Sequence, residues 1–307
     1  MAAINALSNT GFWVVLGTIC ALIIGPIGDI SSTLIVFVLI IQMTFSMDGL
    51  SLKAKTLKES KRQILYSFIA CFGISTVAAL LLGSLFIADY PDIWKGWVVL
   101  AAVPCAVSVV MVSFFSKGNT TMCVISVAAI YLAAMVLTPL ITWFLIGESV
   151  SVLKIFSYVI LFVAIPMAAS VPLKKVKISR TARIVVINAM LFLLVFMSLG
   201  QNREYLFSEP GIVLIVAAAC AVRVFAVSFI VLYFLKKKGA NRDDSMVYIP
   251  MAVWKNSGLG VTLCFVLFGS MAEAAIPCAI SLLVELLWFA VISNRIERAW
   301  PASAVTV

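Results

Sequence analysis

Ten long apolar segments, centred near residues 19, 38, 75, 104, 131, 163, 191, 223, 256 and 283, run through this chain with short polar breaks between them. Each is about the length an α-helix needs to cross a hydrocarbon core ~30 Å thick. The chain has 307 residues, of which 64% are hydrophobic and 11% charged, and no soluble domain of that length has such a balance. The expectation is an all-α polytopic membrane protein. The first ten residues carry no charge and lead directly into apolar sequence, so a cleavable signal is not expected.

The charge of the breaks orients the segments. Stretches 53–62, 116–119, 174–183 and 236–244, with the tail after Asn294, hold 17 of the 22 Lys and Arg residues. The alternate breaks hold three, Lys95, Lys154 and Arg203. Basic loops face the cytoplasm, so both termini are expected inside, in a plasma (inner) membrane. The same loops account for the net charge of +9, which leaves nothing for nucleic-acid binding to explain. All seven cysteines lie in apolar segments, without a CxxC pair. Histidine is absent, and with it the commonest metal ligand. No catalytic constellation, metal site or cofactor is expected.

The fourth and ninth segments share a pattern. VPCAVSVV (103–110) and IPMAVWKN (249–256) each contain an aliphatic residue, proline, one variable residue and Ala-Val, 146 positions apart. Five segments precede the sixth, so the second half would insert upside down relative to the first, as in inverted-repeat transporters. The halves are expected to be 1–148 (spans 1–5) and 149–307 (spans 6–10). Pro104 and Pro250 should break or kink their helices near mid-membrane, which is tolerated where freed backbone groups face protein or a cavity.

With ten segments, DGLSLKAKTL after the second, Pro104 followed by Lys117-Gly118, and KNSGLGVTL in the ninth, the chain resembles the bile acid:sodium symporters, in the superfamily that also holds arsenite efflux permeases. The resemblance implies a panel domain and a core domain, the broken spans 4 and 9 crossing at the substrate site of the core. It also implies where sodium ligands would lie, and there this sequence departs. The span-4 Ser-Asn pair is replaced by Val109 and Val110, and span-5 hydroxyl positions fall on Cys123 and Val127. The span-9 glutamate and glutamine positions are Met251 and Lys255, and the span-3 glutamine is Cys71. Hard cations need oxygen ligands, so sodium coupling at those positions is not expected.

A charge mid-membrane is costly and usually has a partner or a job. Lys255 is therefore read as a fixed or protonatable cation, with Glu285 or Asp48 as a structural partner. Arg223 either clamps a carboxylate or pairs with Glu285. Asn256 and Ser257 are positioned to cap the second half-helix of span 9. The substrate-binding candidates are thus Pro104, Cys105, Ser108, Arg223, Pro250, Lys255, Asn256 and Ser257, with Lys255, Glu285 and Asp48 as the charge network. The expected function is secondary transport of a small organic anion by alternating access, independent of sodium. The alternatives are a sodium symporter with relocated ion sites, an arsenite-type permease using Cys105, or a channel or sensor on the same fold. Expected partners are the anion and the lipid bilayer, with oligomeric state open.

Overall fold

The computed structural model describes residues 7, 9–26, 32–47, 60–147, 151–173, 175–269 and 272–299. Every regular element among them is a helix. Five helices are individually long and apolar enough to cross a membrane: α3 (Lys61–Phe86), α6 (Thr120–Ile146), α7 (Leu153–Leu173), α8 (Arg180–Gln201) and α9 (Pro210–Lys237). Around them stand α1 (Thr10–Ile24), α2 (Ser32–Met47), α4 (Pro91–Ala102), α5 (Val109–Phe115), α10 (Arg242–Val253), α11 (Ser257–Phe268) and α12 (Ile276–Ala299). The chain is an integral all-α membrane protein.

Side chains set many of the helix ends. Asn9, Asn119, Ser179, Asn241 and Asn256 each accept a hydrogen bond from a first-turn amide, satisfying donors that a helix start leaves free. α1 and α6 stop at Gly25 and Gly147, whose φ values of 77° and 76° suit glycine.

The helices fall into two packed groups. α8 lies against α1 and α2, and α7 also packs on α2. In the other group α4 touches α3, α6 and α12, while α9 touches α10 and α12. α2, α7 and α8 contact α11, and α7 also packs along α6, so the two groups are joined at both places. The two sequence halves are thus interlocked, each contributing helices to both groups. α4 comes so close to the 272–275 turn that a Cβ on Gly96 would lie 2.1 Å from the Ala274 carbonyl oxygen.

Three segments depart from regular helix where the site forms. Within α3, residues Ile69–Ser75 adopt a π-helical turn. The fourth and ninth segments are each interrupted: α4 ends at Ala102 and α5 begins at Val109, while α10 ends at Val253 and α11 begins at Ser257. The two interruptions pair with each other. Cys105 and Lys255 form an isolated antiparallel bridge, the Ala106 amide donating to the Trp254 carbonyl (3.1 Å) and the Asn256 amide to the Pro104 carbonyl (2.8 Å).

Pro104 lies in its break, but Pro250 lies inside α10, one turn before the break it was expected to cause. The paired residues Cys105 and Lys255 are therefore 150 positions apart, not 146. The local Pro-x-Ala-Val match is out of step with the spatial pairing by one helical turn. Proline frees a carbonyl one turn upstream, yet where the backbone unwinds depends on which side chains receive the exposed groups.

Candidate functional site at the paired breaks

The break after α4 leaves the last carbonyls of a helix in the buried interior, and three elements satisfy them. Thr138 of α6 donates to the Ala102 oxygen at 2.8 Å, and Thr76 of α3 donates to the Ala101 oxygen at 2.7 Å. Lys255 supplies the rest. Its Nζ, on a fully buried side chain, donates to the carbonyl oxygens of Ala101 (2.9 Å), Val103 (2.9 Å) and Cys71 (3.1 Å) and to Thr76 Oγ1 (3.2 Å). The Cys71 carbonyl belongs to the π-helical turn of α3. The Phe72 ring lies 5.2 Å away, closing the ammonium off with a cation–π contact. No carboxylate contacts this ammonium among the described residues. Its charge is met by oxygen dipoles and by the negative end of α4.

A second buried cation closes the other half-helix. Arg223 of α9, 1% exposed, donates through Nη1 to the Val253 carbonyl, the last residue of α10, at 3.1 Å. Its Nη2 donates to Ser281 Oγ and Glu285 Oε1, both at 2.6 Å. Glu285 Oε1 also accepts from Ser281 Oγ (3.0 Å) and the Lys255 backbone amide (3.2 Å), and Oε2 accepts from Ser257 Oγ (3.1 Å). One carboxylate of α12 thereby ties α9 to both sides of the break between α10 and α11. The ion pair of Glu285 is with Arg223; Lys255 meets it only through its backbone.

The remaining sequence candidates fall around this pair of networks. Asn256 is nearly buried, caps α11 through Oδ1 and donates through Nδ2 to Tyr131 Oη (2.7 Å) and to Met43 Sδ (3.4 Å). Ser257 is engaged by Glu285. Cys105 and Pro104 are buried in the break, and Pro250 is buried in α10. Ser108 is exposed, with Ala106 and Val107 half-buried beside it. Asp48 lies outside the described residues.

Sequence reasoning missed Thr76, Thr138, Ser281 and Tyr131. Each is a hydroxyl in an apolar segment, the kind of residue that completes a buried network when a helix end needs a partner. Next to Thr76, an apolar surface groove of about 440 Å³ runs between α3 and α6, lined by Leu80, Leu140, Ile141, Trp143, Phe144 and Leu145.

The arrangement pairs two unwound backbone segments and caps the helix ends beside them with two buried basic side chains, next to an exposed hydroxyl. A family model described as the Sodium Bile acid symporter family matches residues 33–209, a stretch that covers α2 to α8 and includes the α4 break. No curated protein matches the chain.

Proposed function

The chain belongs to the sodium bile acid symporter family, and from that premise we propose that it carries a small organic anion across the membrane by alternating access, without sodium. In this reading the protein has ten spans in two inverted repeats, 1–148 and 149–307. α1, α2, α7 and α8 form the panel, and the other helices form the core. The panel rocks against the core around the paired breaks, and the anion enters beside Ser108, Ala106 and Val107.

The observation that carries the sodium independence is the environment of Lys255 Nζ. Four oxygens within 3.2 Å surround it, the kind of shell a bound monovalent cation would otherwise draw together. The positions where the family resemblance places ion ligands carry Val109, Val110, Met251, Cys71, Cys123 and Val127, whose side chains offer no oxygen. A cation built into the chain thus stands in place of one taken from solution. Arg223 acts likewise at the end of α10. Both cations hold helix ends in this conformation, and the anion feels their charge through the break more than by contact.

The test is ligand-induced thermal stabilisation of the purified protein, with steroid carboxylates, keto acids and pantoate-like acids, in sodium or choline salts. An anion present at 100 times its dissociation constant should add roughly 2.7 kcal/mol to native stability. Stabilisation equal in both salts, and saturable counterflow of that anion in proteoliposomes, is the expected result. Stabilisation that requires sodium overturns the reading.

A further inference from the structure

Two cysteines from separate elements meet at the same lysine. Cys105 pairs through its backbone with Lys255, and the Lys255 ammonium is bonded to the Cys71 carbonyl at 3.1 Å. Both side chains are fully buried and outside any disulfide, and the thiols lie close enough to interact with each other and with the ammonium. Neither thiol takes part in the carbonyl-capping or Arg223–Glu285 networks described above.

We infer that Cys71 and Cys105 form a two-thiol site for one soft monovalent cation of the Cu(I) or Ag(I) class, with Lys255 as its counter-charge. Soft thiolates select such ions over hard ones. No group of three or more His, Cys, Asp or Glu among the described residues is arranged to hold a metal, so two-sulfur coordination is the geometry available. Charge selects the valence. Binding of the ion displaces one proton from each thiol, giving a two-thiolate complex of charge −1 beside an ammonium of charge +1, which is neutral overall. No electron is transferred. The site is independent of the transport reading, because it needs only the packing of α3 against the α4 break and Lys255.

The molecule contains its own control. Cys264 of α11 and Cys278 of α12 are a second buried, interacting thiol pair, but Cys278 Sγ is already turned to the Gly96 carbonyl (3.7 Å), and the cation that reaches it, Arg223, already has its carboxylate in Glu285. That pair should not hold the ion.

Silver(I) is the probe, added as nitrate in chloride-free buffer to the reduced full-length protein in detergent, followed by desalting and native mass spectrometry. One Ag(I) should remain on the wild type and on the Cys264→Ser/Cys278→Ser double variant, and none on Cys71→Ser or Cys105→Ser. Lys255→Gln should lose most of the retained silver. X-ray absorption of silver in the wild type, which depends on no variant, should report two sulfur neighbours. The inference is overturned if the wild type retains no silver, or if loss follows Cys264 and Cys278. A Cys123→Ser variant that loses the ion, or a three-sulfur shell, also overturns it.

Discussion

Lys255 spends its hydrogen-bonding capacity on backbone oxygens that would otherwise be stranded at the end of α4. Replacing it with leucine keeps the apolar stem and removes the donor, leaving the Val103 carbonyl buried without its ammonium. The expected cost is about 2–4 kcal/mol, from an orphaned acceptor and the lost helix-end charge. It should be read as a lower apparent melting temperature in detergent. Glu285→Gln should cost about 3–5 kcal/mol, because Arg223 then keeps a buried charge without its partner. Glu285→Gln combined with Arg223→Gln should recover much of that loss. A double-mutant cycle by thermal or chemical denaturation checks it, and strict additivity would mean the pair does not act as a unit. At this scale the sequence is only half legible. Lys255, Arg223 and Glu285 stand out as charges in apolar runs, but the sequence offers Glu285 to both cations and Asp48 to Lys255 besides. Only the fold shows that Arg223 takes the carboxylate while Lys255 takes carbonyls that carry no mark in the sequence.

Among the elements, the broken helices are legible as disrupted segments but not in register. Proline announces a weak point, and Pro104 lies at one. Pro250 does not, because Arg223 and Asn256 receive the backbone groups one turn later, at Val253 and Leu259. The π-helical turn of α3 has no sequence signature either; it is where Lys255 collects the Cys71 carbonyl. Close approach of α4 to the 272–275 turn depends on Gly96 having no side chain. Gly96→Ala should destabilise by at least 1–3 kcal/mol, as overpacking against backbone does, measured as a drop in apparent melting temperature. A change no larger than that of Gly211→Ala, where open space surrounds the added Cβ, would mean that the two segments separate easily.

For the whole molecule, membrane class was plain from the apolar runs, and family membership followed from motifs spread along the chain. The packing of α8 on α1 and α2 was not readable, because contacts between residues more than a hundred positions apart leave no periodicity. Carrier behaviour belongs to this scale. Uptake into proteoliposomes should accelerate when unlabelled anion is present on the opposite side, and should be unchanged when sodium is exchanged for choline. A flux that never saturates would make the molecule a channel.

The interlocking of the two halves also bears on how the chain is made. The α4 carbonyls emerge from the ribosome well before Lys255, which follows Ala101 by 154 positions. Until the ninth segment arrives, an open helix end must wait inside the bilayer. Domains generally form in order of synthesis, but here the earlier half cannot be finished alone. A nascent chain stopped ahead of Lys255 should therefore be held by the insertion machinery and remain open to protease, and release should come only when the lysine docks.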